Sequence, residues 1–98
     1  MEEKKIVKTV GDAIEVIKND DMYNNFIDTF SSQSEGIINS VDYSKKQIKI
    51  QLNKDKWTGN ARVLYYMIDD IIINNNMTSF VEVQMSIKNS TITVKGWN

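Results

Sequence analysis

Apolar residues recur along this chain in two rhythms, one near 3.6 residues and one of two, and the rhythm changes three times. Ile6, Val7, Val10, Ala13, Ile14 and Ile17 fall on one helix face; Gly11 weakens that helix without cancelling it. Asn19, Asp20 and Asp21 offer capping side chains. Met22, Tyr23, Phe26, Ile27 and Phe30 then resume helical spacing through about Thr29. The spacing predicts two short helices or one bent helix. Ser31-Ser32-Gln33-Ser34-Glu35-Gly36 carries neither rhythm and ends in glycine, so it reads as a connector.

Beyond it the period is two. Ile37, Val41 and Tyr43 alternate with Ile38, Ser40 and Asp42, and Ile48, Ile50 and Leu52 alternate with Lys49 and Gln51. With Lys45 and Lys46 in the loop, Tyr43 faces Ile48 and Val41 faces Ile50, while Asp42 meets Lys49 on the other side. Apolar pairs and opposite charges therefore select one register. Neither lysine suits a primed two-residue turn, which leaves room for a longer loop.

Asn53 to Asn60 is polar apart from Trp57, and Ala61, Leu64, Met67, Ile68, Ile71 and Ile72 then form a second helical stripe, with Asn60 as its cap. Asn74-Asn75-Asn76 ends that helix, because asparagine tolerates the left-handed conformation. Val81, Val83, Met85 and Ile87 alternate with Glu82, Gln84, Ser86 and Lys88, and Ile92 and Val94 alternate with Thr91, Thr93 and Lys95. A loop at Asn89-Ser90 would pair Ile87 with Ile92 and Met85 with Val94. The order is α-β-β-α-β-β, an α+β domain over residues 1–98 with helices packed on one face of an antiparallel sheet made of two β-hairpins. Strand order does not follow from these patterns.

Composition narrows the chemistry. Ninety-eight residues leave room for one core, and 41% hydrophobic and 26% charged residues with net charge −1 describe an ordinary folded globule. Without cysteine there is no disulfide framework, thiolate metal site or cysteine nucleophile, and without histidine the commonest general base is missing. No apolar run approaches the roughly 18 residues of a membrane span. The start Met1-Glu2-Glu3-Lys4-Lys5 leads into an amphipathic segment rather than a signal-peptide core, which predicts a cytoplasmic protein. Abundant isoleucine, asparagine and lysine, with two alanines and no proline, point to an AT-rich bacterium or its phage.

Catalytic patterns are weak. Asp69 and Asp70 are adjacent on a helix and point about 100° apart, so they make a poor dyad. Phosphate-loop, Rossmann and nucleophile-elbow motifs are missing. The reading is a non-enzyme with no metal and no cofactor. Trp57-Thr58-Gly59 resembles the Trp-x-Gly tripeptide that joins the two long helices of a family of small secreted proteins. That resemblance covers three residues and the overall length, and the strand patterns before and after it do not fit an all-helical architecture.

Two surface patterns remain. In the register above, Trp97 points outward opposite Glu82 and diagonal to Phe80, and Ile38 is the outward apolar residue of the first hairpin. Large aromatics on a polar sheet face are what binding hot spots look like. They predict a protein-binding module, a phage or mobile-element inhibitor or adaptor acting by stoichiometric occlusion through a sheet face or edge. Ile38, Phe80 and Trp97 would be its anchors, and Glu82, Gln84 and Lys95 its polar rim. The partner would be another protein or a second copy, with no membrane involved. The alternative is nucleic-acid binding by the basic stretch Tyr43, Lys45, Lys46, Lys49, Lys54, Lys56, Trp57 and Arg62, in which only Asp55 is acidic. Whole-chain neutrality weighs against that alternative.

Overall fold

The computed structural model describes residues 7–31, 36–56 and 59–97. It contains α1 (Val10–Lys18), α2 (Asp21–Ser31), β1 (Ile38–Tyr43), β2 (Gln47–Leu52), a short 3-10 turn at Lys54–Lys56, α3 (Gly59–Asn74), β3 (Val81–Ser86) and β4 (Thr91–Gly96). This is an α+β arrangement of three helices and one four-stranded antiparallel sheet.

The first helix starts four residues later than the apolar stripe implies. Thr9 is extended and its hydroxyl accepts the Asp12 amide at 3.1 Å, while the Asp12 carboxylate accepts the Lys8 amide at 3.0 Å. The first bond satisfies an amide that a helix start leaves without a partner, and the second ties the residue before the cap to the same turn. Helices α1 and α2 are separate. The Asp20 carboxylate takes the Tyr23 amide at 2.9 Å to start α2, and the Asn24 side chain donates back to the Lys18 carbonyl at 2.9 Å to finish α1. Helix α3 ends in a Schellman motif: Asn76 sits at φ 57°, its amide reaches the Ile73 carbonyl, and the Met77 amide reaches that of Ile72. Met77 and Ile72 are both buried, which supplies the apolar contact of that motif.

The first hairpin has the predicted register, with Tyr43 opposite Ile48, Val41 opposite Ile50 and Asp42 opposite Lys49. Lys45 and Lys46 do form the loop. Neither has positive φ, and the Ser44 hydroxyl takes the place of a primed turn by accepting from the Lys46 amide at 3.4 Å and donating to the Gln47 carbonyl at 3.2 Å. One residue departs from alternation. The ladder slips between Ile38 and Ser40, so Asn39 is the extra residue of a bulge and Ile38 pairs with Leu52. Ile38 is therefore a core residue, 5% exposed, and the outward position predicted for it is wrong.

The second hairpin is displaced by two residues from the predicted register. Met85 faces Ile92, Val83 faces Val94 and Glu82 faces Lys95. Ile87 lies in the turn that follows β3 and is exposed. For the residues that stay in β3 and β4, a slip of two leaves the two faces as predicted, because side chains alternate with period two.

The strand order is β1-β2-β4-β3, so the hairpins join through β2 and β4. Ile48 faces Val94 and Ile50 faces Ile92 across that joint, and all four side chains are fully buried. The helices cover this apolar face, α2 against β1, α1 against β4 and α3 against β3. The opposite face carries Asp42, Lys49, Thr93 and Gln84 in one row and Ser40, Gln51, Thr91 and Ser86 in the next. Among the described residues no helix is long and apolar enough to cross a membrane.

Helix α1 approaches β4 tightly at Gly96, where an added Cβ would stand 2.6 Å from Val10 Cγ2 and 3.1 Å from Cγ1. Valine is stiff at χ1 and cannot swing aside cheaply. Gly96→Ala should destabilise the fold by about 1–3 kcal/mol, and Val10→Ala in the same chain should recover part of that loss. Denaturant unfolding of the two single variants and the double variant measures the coupling.

Candidate functional site

Phe80 and Trp97 lie at one end of the sheet. Regular pairing persists through Val81 and Gly96, and the Trp97 amide continues it by donating to the Phe80 carbonyl at 3.3 Å. Trp97 therefore stands opposite Phe80 rather than Glu82. Its indole Nε1 donates to the Thr78 carbonyl at 2.9 Å, which fixes the ring against the turn that precedes β3. The ring is 56% exposed nonetheless. Phe80 is half-buried and packs against the core. Ile38 lies on β1, at the other edge of the sheet from β3, and does not join them.

The rim residues separate by position. Glu82 and Lys95 face each other next to Trp97, and the Gln84 side chain donates to the Glu82 carboxylate at 3.0 Å. Lys46, Gln47, Lys95 and Trp97 also border a cavity of about 290 Å³ whose other walls are Val10 and Gly96. One lysine of the first hairpin turn thus meets the aromatic end of the second hairpin. This juxtaposition follows from the β2–β4 pairing, which the sequence patterns left open.

The other members of the basic stretch do not converge. Lys45 and Lys46 are exposed in the turn, Lys49 lies on the outer face beside Asp42 and Thr93, Lys54 is exposed in the 3-10 turn and Arg62 is exposed on α3. Trp57 and the side chain of Lys56 lie outside the described residues. Tyr43 is engaged: its hydroxyl and that of Tyr23 are 3.0 Å apart, and the Lys18 ammonium lies 5.1 Å from its ring centroid.

A second apolar surface was missed by the stripe reading. Helix α3 buries Ala61, Leu64, Ile68, Ile71 and Ile72, yet Val63 and Tyr66 project from another side, 50% and 58% exposed. With Met22 of α2, itself 67% exposed, and Met67, they line a groove of about 510 Å³. Asp20 and Asp70 border the same groove. The signal was present in sequence as a second i, i+3, i+4 series through Val63, Tyr66 and Met67, hidden because α3 carries apolar residues on more than one side.

The chain matches no family model, no curated protein and no solved structure. Among the described residues no three carboxylates gather in a way that could hold a metal ion.

Burial, and then the hydrogen bond with Tyr43, lift the Tyr23 hydroxyl far above the ordinary phenol range. An unfolded tyrosine ionises near pH ~10. The folded chain thus keeps a proton that the unfolded chain loses, so this stabilisation is complete below about pH 10 and declines as pH rises past it. Tyr23→Phe should cost about 0.5–1.5 kcal/mol at neutral pH through the lost hydrogen bond. Its melting temperature should then fall less steeply than that of the parent between about pH 9.5 and about pH 11. Equal slopes for the two proteins would show that Tyr23 is not the titrating group.

Proposed function

We propose that the chain is a non-enzymatic, cytoplasmic protein-binding module, an inhibitor or adaptor of a phage or mobile element, which acts by occluding its partner through the β3–β4 end of the sheet. The observation that carries this reading is Trp97, a ring more than half exposed and held in one orientation by its bond to Thr78. A fixed aromatic loses little side-chain freedom when a partner covers it and buries a large area, and this is the economy that makes tryptophan frequent in binding hot spots. Phe80, half-buried against the core, accepts the Trp97 amide through its carbonyl and so ties the end of β4 to β3. Glu82, Gln84 and Lys95 form its polar rim, and β3 offers an unpaired strand edge beside it. Ile38 has no part in the contact.

A photo-crosslinking amino acid at position 97 should capture a discrete protein in cells of the source, whereas the same group at Lys88, exposed in the β3–β4 turn, should not. Trp97→Ala should weaken capture of that protein by about tenfold or more with a melting temperature shifted by only a few degrees. Equal capture from both positions would sink the proposal.

A second reading draws on Lys46 and Lys95 flanking the same ring, since cations beside an aromatic hold phosphates and stack bases. It requires single-stranded oligonucleotide to be retained at low salt, released steeply as salt rises, and lost when Lys45 and Lys46 become Glu. Absence of retention at low salt ends this reading and leaves the first one standing.

A further inference from the structure

The groove between α2 and α3 is independent of the sheet end and has its own chemistry. Its floor is Met67 and Ile71, its walls are Met22, Val63 and Tyr66, and its charges are Asp20 and Asp70. Among the described residues no basic residue lines it. Asp70 is exposed and has no ion-pair or hydrogen-bond partner among the described residues. The groove also runs to the end of α3, past Asn74 and Asn75, and the last turn of that helix carries no basic side chain to offset the negative end of its dipole. An apolar surface of this size bordered by the carboxylates of Asp20 and Asp70 is complementary to an apolar surface bordered by cations.

Shape narrows the occupant further. Val63, Tyr66, Met67, Asp70, Ile71 and Asn74 follow one another at i, i+3, i+4, i+7, i+8 and i+11 along α3. At 1.5 Å per residue that line is about 16 Å long, the length of three helical turns. A second copy of the chain is a poor occupant. In a two-fold contact each groove would meet itself, bringing two pairs of carboxylates into one interface with no base from either lining.

We propose that the α2–α3 groove receives a basic amphipathic helix from a partner protein, with its apolar stripe between Met22 and Tyr66 and its Lys or Arg residues facing Asp20 and Asp70. The recognition is the helix-in-groove mode, in which i, i+3, i+4 and i+7 anchors of the ligand fill an apolar channel. With Trp97 at the sheet end, the domain would carry two binding surfaces on different elements.

The probes are three labelled peptides of about 14 residues, long enough for the three turns of the groove. The first places Leu and Lys in an amphipathic helical pattern. The second replaces every Lys by Glu in the same pattern, and the third scrambles the first so that composition and charge remain while the stripe is lost. Fluorescence anisotropy with the intact chain should show saturable binding of the first, none of the second and at least about tenfold weaker binding of the third. Tyr66→Ala and Val63→Ser should each weaken the first peptide about tenfold, and Asp70→Asn should weaken it several-fold and flatten its salt dependence. All three positions are solvent-exposed, so these variants should keep the parent's thermal transition. Trp97→Ala should leave binding unchanged, which separates failure here from failure at the sheet end. Equal binding of the ordered and scrambled peptides, or indifference to Tyr66→Ala and Asp70→Asn together, overturns the proposal. Dimerisation of the free chain that Tyr66→Ala abolishes overturns it in favour of a second copy.

Discussion

The pairing of β2 with β4 is the constraint on which the rest of the molecule depends. Each hairpin alone would be a two-stranded ribbon with one apolar face, and such ribbons are at best marginal in water. Joined, they bring Ile48, Ile50, Ile92 and Val94 into a block with no solvent exposure. Burial of side chains this size stabilises by roughly 1.5–3 kcal/mol each. The joint also fixes the edges. Because β2 and β4 occupy the centre, β1 and β3 are the outer strands, and each receives its own helix, α2 against β1 and α3 against β3. The same pairing sets the turn of the first hairpin beside the end of the second, which is why Lys46 shares a cavity with Trp97 across more than half the chain.

The sequence carried the faces of the elements better than their registers, and the reason is physical. In the first hairpin two independent constraints, apolar pairs on one side and Asp42 with Lys49 on the other, exclude neighbouring registers. In the second hairpin the alternation of Val, Met and Ile against Glu, Gln and Thr is satisfied equally by registers two residues apart. The structure adopts the one with the longer turn and leaves Ile87 exposed. Parity arguments cannot distinguish such registers, yet the difference moved Trp97 from opposite Glu82 to opposite Phe80. At Ile38 parity itself failed, since one bulge residue, Asn39, turns Ile38 onto the core face. The sequence offers no mark of that bulge. The strand order, and with it the meeting of Lys46 and Trp97, depends on a pairing between residues forty or more positions apart that no local pattern encodes.

The groove beside α3 shows a different limit. Apolar periodicity selects the strongest stripe, and the strongest stripe is the one that packs on the sheet. Val63 and Tyr66 belong to a second series whose exposure is decided by what α2 leaves uncovered. Since α2 begins immediately after the break at Asn19 and Asp20, its first turn places Met22 near α3 while Tyr23 turns into the core toward Tyr43. The capping chemistry of Asp20 therefore does two jobs at once. It separates α1 from α2, and it sets a carboxylate at the mouth of an apolar groove.

Charge and apolar surface are distributed so that the two candidate contacts differ in kind. At the sheet end the aromatic ring is bordered by Lys46 and Lys95 with Glu82 opposite, so its rim is mixed and tilted toward positive. At the helical groove the charged lining among the described residues is Asp20 and Asp70. A net charge of −1 thus conceals two local fields of opposite tendency, and neutrality of the whole chain says little about what either surface meets. Opposite rims also discourage a partner of one surface from settling on the other, because a like-charged approach costs energy at the encounter. The fold keeps the surfaces apart by the same device that built it, a central strand pair with helices on one side, whose open end carries Trp97 and whose outer helix carries Tyr66.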